Sequence, residues 1–281
     1  MADWLRILNK EVVACTRCPR LVAYREQIAR EKRRAYRDWE YWGKPVPGFG
    51  DPKARVLVMG LAPGAHGSNR TGRMFTGDAS GNFLYPVLYE AGFASQPTAT
   101  DRNDGLTLKD LYITAAVRCA PPDNKPLPEE LANCSEFLDR ELAGLANVKV
   151  VVALGKIGFD AYLNHLKRQI SHPFGQLSGK PHVSQNRRDV GHPHFHCLPG
   201  VAAYGLPRAR SGIAKNPEEW STQFSKRDYI FKHGASYRMP GGNVLLASYH
   251  PSNQNTQTGK LTRRMFVEIF KEAAKFADVE A

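Results

Sequence analysis

The sequence lacks any long apolar run. Hydrophobic residues fill 42% of its 281 positions, an ordinary share for a globular protein with a sizeable core. No uninterrupted stretch reaches the roughly eighteen apolar residues that a membrane-spanning helix needs. The first residues, MADWLRILNKEVV, also lack the apolar core and cleavage site of a signal peptide. We therefore expect a cytoplasmic protein with no membrane segment.

Acidic residues are comparatively few. The chain has 27 Asp and Glu against 39 Lys and Arg, which gives a net charge of +12. Residues 17–37 alone hold eight Lys and Arg but only two Glu. A basic face of this kind attracts polyanions at long range and releases counterions on contact, so nucleic acid is the leading partner class. The alternative is a solvated basic face that binds no partner.

Cysteine is scarce, with five residues in the chain. Cys15 and Cys18 form a C-x2-C pair near the N-terminus, whereas Cys119 and Cys134 follow much later, at a predicted strand end and inside a predicted helix. Such usage in a cytosolic protein favours metal binding or catalysis over disulfides. Zinc and a [4Fe–4S] cluster both accept four thiolates, and buried free thiols are the third alternative. Cys197 has no nearby partner in the sequence and is expected to be a free thiol.

Residues 171–242 show no clear periodic pattern and are rich in Gly, Pro, His and basic residues. We expect a surface insertion there. Within it His192, His194 and His196 alternate, which would place all three on one face of a strand. Three in-line imidazoles form a line and not a tetrahedron, so a metal site at these histidines is the less favoured interpretation.

One long glycine-rich segment stands out, Gly60–Asp78, with the sequence GLAPGAHGSNRTGRMFTGD. It follows an apolar run that predicts a buried strand, and the helical pattern resumes only near Ser80. The segment lacks the Gly-Lys-Ser/Thr of a P-loop and the GxGxxG of a dinucleotide site. Because α/β proteins place their sites in loops after buried strands, we expect the functional site here.

Apolar strand patterns alternate with helical ones through the middle of the chain. Strands are expected at residues 55–59, 111–117, 148–154 and 243–248, and helices at 3–14, 20–40, 80–91, from 128, from 155 and at 261–277. This alternation predicts an α/β fold with a parallel sheet that is covered on both faces. No linker is visible, so we expect a single domain over residues 1–281.

Three motifs occur in one order: GLAPGAHGSNRTGRMFTGD (60–78), ITAAVRCAPPDNKP (113–126) and SYHPSNQNTQTGKLT (248–262). With the cysteine spacing, they make the sequence resemble the uracil-DNA glycosylase superfamily, specifically its iron–sulfur branch, family 5 or type b. The resemblance implies a three-layer αβα sandwich with a central, mostly parallel sheet of four to five strands. It also implies a [4Fe–4S] cluster that ties the N-terminal segment to the sheet, held by Cys15, Cys18, Cys119 and Cys134.

The implied activity is hydrolysis of the N-glycosidic bond of uracil, or of hypoxanthine and other damaged bases, in single- or double-stranded DNA, by a monomeric enzyme. Related families carry polar groups where this chain has Leu61, Ala62 and Ala115. That loss is itself the family 5 pattern, and it leaves the group that activates water open. Two alternatives are a nucleic-acid-binding iron–sulfur protein without catalysis and a zinc-stabilised hydrolase with another substrate.

The expected catalytic residues are His250, Asp78, Asn69 and Asn255. His250 follows a buried strand directly and can donate a hydrogen bond to the leaving base, although a structural histidine at a strand end is the alternative. Asp78 can orient water or balance charge on the sugar, or it can simply cap the helix that follows. Asn69 and Asn255 carry amides that suit water, phosphate or a turn.

The expected substrate contacts come from the same motifs. Phe75 is expected to stack on an extruded base, and Asn124 to read its pairing edge. Backbone groups of the first motif and of the loop after the last strand are expected to hold phosphates. The full set of expected substrate-binding residues is Ala62, Pro63, Gly64, Phe75, Asn124 and Ser252. Positive charge along the same rim is expected from Arg70, Arg73, Lys260, Arg263 and Arg264.

Overall fold

A computed structural model of the chain describes residues 2–171 and 224–279. Internal contacts divide the chain into two units, Met1–Lys167 with Ser225–Ala281, and Arg168–Phe224. Apart from the last residues of the helix Gly155–Ser171, all of the structure discussed below belongs to the first unit. Residues 225–242 of the expected insertion belong to that unit, whereas the alternating histidines and Cys197 lie outside the described residues. The single-domain organisation stays a prediction.

The described residues form a six-stranded sheet in the order β1-β3-β2-β4-β6-β5. Its strands are β1 (Phe49–Gly50), β2 (Val56–Gly60), β3 (Leu111–Ala115), β4 (Val150–Leu154), β5 (Ser236–Arg238) and β6 (Val244–Ser248). The four central strands are parallel and fully buried, as predicted. The two antiparallel edge strands are additions to that prediction, because two or three residues are too few to show a periodic pattern.

Eight α-helices surround the sheet within the described residues. They are α1 (Asp3–Val13), α2 (Pro19–Glu31), α3 (Ser68–Thr71), α4 (Ala79–Glu90), α5 (Pro128–Gly144), α6 (Gly155–Ser171), α7 (Asn253–Gln257) and α8 (Arg263–Ala277). None of the described helices is long and apolar enough to cross a membrane.

The sheet buries both of its faces. Val58, Ile113 and Val152 point to one face, where they join a core with apolar residues of α4 and α8. On the other face the carboxylate of Glu141 in α5 bonds to Tyr112 and Thr114, and α6 packs against the backbone of β2. A small cluster of α1 and α5 residues extends this second layer. The expected αβα sandwich is therefore confirmed.

Two segments differ from the sequence-based expectation. The helix expected over 20–40 ends at Glu31, because Lys32 takes a left-handed φ of 54°. We call residues 32–42 the N-terminal arm. The end of the arm is bound to α3, since the backbone N–H of Trp42 donates to the Arg70 carbonyl at 2.9 Å. The second difference is α3 itself, which lies inside the segment that was expected to be a continuous loop.

The strand order fixes the location of a crevice. From the central strand β2, the chain first adds β3 on one side and then β4 on the other. Loops that leave the carboxyl ends of such strands diverge, and α/β proteins bind ligands in the gap that results.

Candidate active site

A cavity of about 1000 Å³ opens at the carboxyl edge of the sheet. Three segments contribute lining residues, each made of a loop and the start of a helix or a short helical turn: 61–82 after β2, 121–124 after β3 and 250–254 after β6. Side chains of α2 and the N-terminal arm complete the wall. The volume lies at the upper end of the range of about 300–1,000 Å³ that is usual for small-molecule sites. The three sequence motifs thus meet around one cavity.

His250 lies in this wall, two residues after the end of β6. Burial lowers the pKa of its imidazole to about 4, because a desolvated site disfavours the charged form. The ring is therefore neutral near pH 7 and keeps one N–H donor. The Asn255 side-chain amide donates to the His250 carbonyl at 2.9 Å and so fixes the backbone below the ring.

Phe75 is the apolar neighbour of His250. The two ring centroids are 5.8 Å apart and the ring planes are tilted by 31°. Phe75 has a left-handed φ of 52°, a conformation that costs energy for a bulky residue. Its ring tip lies against Gly60, where an added Cβ would be 2.8 Å away from it. A flat ligand that stacks on Phe75 therefore lies beside the imidazole donor.

Asp78 has two functions in the structure. Its Oδ1 accepts a hydrogen bond from the Gly81 N–H at 2.9 Å and so caps α4. Its Oδ2 packs against the backbone of the loop, since a Cβ on Gly67 would lie 2.0 Å from that oxygen. The residue also lines the cavity, and burial raises the pKa of the carboxyl above its usual value. Capping and a contact with substrate are compatible at this position.

Of the six expected substrate-binding residues, five line the cavity. They are Ala62, Gly64, Phe75, Asn124 and Ser252. Asn124 has a left-handed φ of 56°, which asparagine tolerates better than most residues. Ser252 caps α7, since its Oγ accepts from the Asn255 N–H at 3.3 Å. Pro63 is buried and does not belong to the cavity wall.

Asn69 and Asn255 do not belong to the cavity wall either, so their placement does not support the expected contact with substrate. Asn69 is buried in α3, and its Nδ2 donates to the Arg25 carbonyl at 3.2 Å. Asn255 supports the backbone of His250, as described above. Both side-chain amides stabilise the backbone around the site, and a catalytic role for either stays a prediction.

The expectation that Arg70 and Arg73 face DNA is wrong. Both guanidinium groups are buried. Arg70 donates to the carbonyls of His66 and Gly77. Arg73 forms a two-point ion pair with Asp104 at 2.8 and 2.7 Å. Arg70 therefore joins two parts of the first motif, and Arg73 joins the motif to the segment that contains Asp104. Both cations are buried, and a buried positive charge needs acceptors of this kind.

A polar part of the wall was not expected from the sequence. Tyr24, Arg33, Tyr36 and His66 all line the cavity. His66 lies in the first motif, and the other three lie in the basic segment that was assigned only a general affinity for polyanions. Contact between that segment and the first motif could not be read from spacing in the chain.

The four expected ligand cysteines share one electrostatic environment. Burial raises the pKa of Cys119 to about 12, the Arg25 charge lowers it, and the other three cysteines raise it further. Arg25 is buried, and its Nε and Nη1 have no hydrogen-bond partner within the described structure. Over residues 2–171 and 224–279, no three His, Cys, Asp or Glu side chains form a group that could hold a metal ion.

The chain is similar to known proteins over most of its length. Residues 47–274 match the family model described as the uracil DNA glycosylase superfamily. A type-5 uracil-DNA glycosylase from Thermus thermophilus is 47% identical over 267 residues, which cover 95% of either chain. Proteins of the same name from Mycobacterium bovis and Pyrobaculum aerophilum are 39% and 37% identical. These matches cover 97% and 96% of this chain, and 82% and 92% of the respective relatives.

Proposed function

The chain belongs to the uracil DNA glycosylase superfamily, in its type-5 family, and from that membership we propose that it is a DNA repair enzyme that excises uracil. The reaction is hydrolysis of the N-glycosidic bond, which leaves an abasic site in the DNA. One observation carries the proposal: a neutral imidazole, His250, lies beside the Phe75 ring in a cavity at the carboxyl edge of the sheet.

A base inside a duplex is out of reach, so the nucleotide must be extruded into the cavity. Phe75 then stacks on the base, and the N–H of His250 donates to a base oxygen. Bond cleavage gives the sugar oxocarbenium character and leaves negative charge on the base. A fixed donor stabilises that charge as it grows, and it does so more strongly in a site that excludes water.

Two acidic residues line the cavity, Asp78 and the exposed Asp123, and we assign the second half of the reaction to the more enclosed Asp78. Its carboxylate can orient the attacking water and balance positive charge on the sugar. Leu61 and Ala62 line the same cavity and offer no polar side chain. Asp78 therefore takes this role in our proposal, and the capping bond from Gly81 holds it in place.

We also propose a [4Fe–4S] cluster on Cys15, Cys18, Cys119 and Cys134. A single zinc ion needs all of its thiolates about 2.3 Å from one point, which suits poorly a set that forms no single-ion group in the described structure. A [4Fe–4S] cluster binds one thiolate at each of its four irons, so its four cysteines can lie further apart than those around a single ion. The buried guanidinium of Arg25 pairs with Glu26 through Nη2 alone, and its Nε and Nη1, which have no hydrogen-bond partner in the described structure, fit a neighbouring anionic centre. When bound, the cluster would join the turn before α2 to the segment after β3 and to α5.

The proposed partner is DNA that contains uracil, in single or double strands, with hypoxanthine and other deaminated bases as further substrates. Exposed cations of the rim, Lys260, Arg263 and Arg264, are available for phosphate contacts. Arg263 and Arg264 also pair with Glu90 and Glu268 on the surface. We propose that the protein acts as a monomer in the cytoplasm, at the nucleoid if its source is prokaryotic.

The test is incubation with an oligonucleotide that carries one uracil, followed by cleavage of abasic sites with alkali. We expect a cut at the uracil position, and a His250→Asn variant should cut much more slowly while it still binds the oligonucleotide. Binding without any cut in the unaltered protein would instead favour a non-catalytic nucleic-acid-binding protein.

Iron and acid-labile sulfide analysis tests the cofactor separately. We expect a brown protein with four irons per chain, in agreement with the four-cysteine ligand set. Cys134→Ser should lose iron, whereas the control Cys197→Ser should keep it. One zinc per chain and no iron would contradict the cluster and favour the zinc-stabilised alternative.

A further inference from the structure

Tyr41 and His66 form a hydrogen-bonded pair at the edge of the cavity. The Tyr41 Oη lies 3.1 Å from Nδ1 of His66, and the two rings meet edge to face. The phenol is buried, and its oxygen also accepts the Arg33 backbone N–H at 3.3 Å. The pair joins the N-terminal arm to the first motif.

The hydrogen bonds at this phenol decide which nitrogen of His66 carries the proton. The Tyr41 hydroxyl has one hydrogen of its own, and the backbone N–H of Arg33 can only donate. In the described structure, Nδ1 of His66 is the acceptor that the phenol reaches. Because buried polar hydrogens are nearly always satisfied, Tyr41 donates and Nδ1 accepts. His66 therefore carries its proton on Nε2.

The surroundings of His66 are positively charged. Burial lowers the pKa of His66, and the nearby charges of Arg33 and Arg70 lower it further, so the ring is neutral near pH 7. Arg70 is fully engaged, since it donates to two carbonyls and lies against the rings of Tyr36 and Trp39 at 3.9 and 4.1 Å. Arg33 is exposed and lines the cavity, and no acidic side chain of the described residues pairs with it.

We propose that the Nε2–H of His66 and the guanidinium of Arg33 together bind a phosphodiester group next to the extruded nucleotide. This inference rests on the proposed function and adds a binding subsite to it. A neutral donor beside an unpaired cation matches an anionic oxygen better than a base carbonyl, since charge-assisted hydrogen bonds to phosphate are the stronger kind. A contact of this type fixes the position of the strand, while the base is held by Phe75 and His250.

The proposed phosphate contact explains why the N-terminal arm is held against the cavity. Arg33 reaches the cavity because α2 stops at Glu31, and Tyr41 then locks the arm to His66. The Arg70 guanidinium lies against the rings of Tyr36 and Trp39 and holds the arm at a second point. The arm is thus anchored at two places before any DNA binds, which lowers the entropy that binding would otherwise cost.

The experiment compares oligonucleotides in which one phosphate beside the uracil, on either side, is a neutral methylphosphonate. The measured quantities are the dissociation constant for a non-cleavable uracil analogue and the single-turnover rate of excision. We expect the unaltered protein to bind one of the two methylphosphonate oligonucleotides about tenfold more weakly. His66→Ala and Arg33→Gln should each bind the normal oligonucleotide about tenfold more weakly, with no further loss on that methylphosphonate, because the missing contact is the same one.

Three further variants sharpen the result. His66→Gln keeps a donor at a similar reach and should restore part of the affinity. Tyr41→Phe removes the hydrogen bond that keeps the proton of His66 on Nε2, so it should weaken binding severalfold. Lys149→Gln removes an equal charge before the amino end of β4, away from the cavity, and should behave as the unaltered protein on all oligonucleotides.

Two results would overturn the inference. If His66→Ala loses affinity equally on normal and both methylphosphonate oligonucleotides, His66 does not contact phosphate. If it changes only the preference for uracil over other bases, the contact is with the base. The binding measurement needs no excision, so a protein that fails to release uracil would refute the proposed function and still allow this test.

Discussion

Gly155, the first residue of α6, lies directly against His250. A Cβ atom on Gly155 would be 3.3 Å from Cβ of His250, a distance shorter than ordinary van der Waals contact. Gly155 also has a φ of 85°, in the left-handed region that favours glycine. The junction between β4 and α6 thus sets the position of the imidazole that follows the neighbouring strand, β6.

The first prediction concerns this contact. Gly155→Ala should destabilise the protein by about 1 kcal/mol through its backbone conformation and should slow uracil excision about tenfold by displacing His250. Thermal unfolding and single-turnover rates measure the two effects. Gly105→Ala is the matched control, because Gly105 has a φ of 82° and nothing within 4 Å of an added Cβ. Equal loss of rate in both variants would show that the His250 contact is unimportant.

The second prediction separates the two functions of Asp78. Asn is as good a helix cap as Asp, so Asp78→Asn should change the free energy of unfolding by less than about 0.5 kcal/mol. If the carboxylate takes part in hydrolysis, the excision rate should fall by about 10²-fold or more. Urea unfolding and single-turnover assays on the same preparation give both numbers. An unchanged rate would leave Asp78 with capping alone.

The third prediction follows from the pKa of His250, which is about 4 in the folded protein against 6.5 for a free histidine. Between these values the unfolded chain binds a proton that the folded protein does not, so stability falls as the pH drops from about 6.5 to 4. The loss from this group is about 3 kcal/mol. His250→Asn should lack that part of the pH dependence in urea unfolding. Parallel curves for the two proteins would show that the imidazole has an ordinary pKa.

The fourth prediction concerns a buried ion pair on the second face of the sheet. Glu141 accepts hydrogen bonds from Arg118, Tyr112 and Thr114, and its carboxylate is almost fully buried. Glu141→Gln should cost about 3–5 kcal/mol, because it leaves the buried Arg118 cation without its counter-charge. Unfolding in urea measures the loss.

The control for this variant is a surface pair of the same type. Glu11→Gln removes the nearer of the two carboxylate partners of Arg140, whose side chain is 35% exposed and also pairs with Glu136, and it should cost less than about 1 kcal/mol. Since Arg118 precedes Cys119 and Glu141 lies on the same helix as Cys134, Glu141→Gln should also lower the iron content. Similar small losses in both variants would mean that the buried pair contributes little.

The sequence by itself determined the parallel strands and the helices around them. Each central strand is a five-residue run of largely apolar residues, a pattern typical of a strand buried on both faces, so composition and length were sufficient to predict it. Each of the three motifs begins near the carboxyl end of one of these strands and continues into the segment after it, and parallel strands end at a common edge. The meeting of Phe75, Asp78 and His250 around one cavity therefore followed from local patterns and topology.

Tertiary structure alone decided which of the basic residues, and which side chains of the N-terminal segment, reach that cavity. Arg70 and Arg73 were expected at the surface from their charge, but loop acceptors and Asp104 draw both inside. Arg33 and His66 were not expected in one site, because they belong to segments that touch only after the chain has folded. The type of each ionisable side chain is known from the sequence. Its partner depends on contacts between distant segments, and so do its exposure and its pKa.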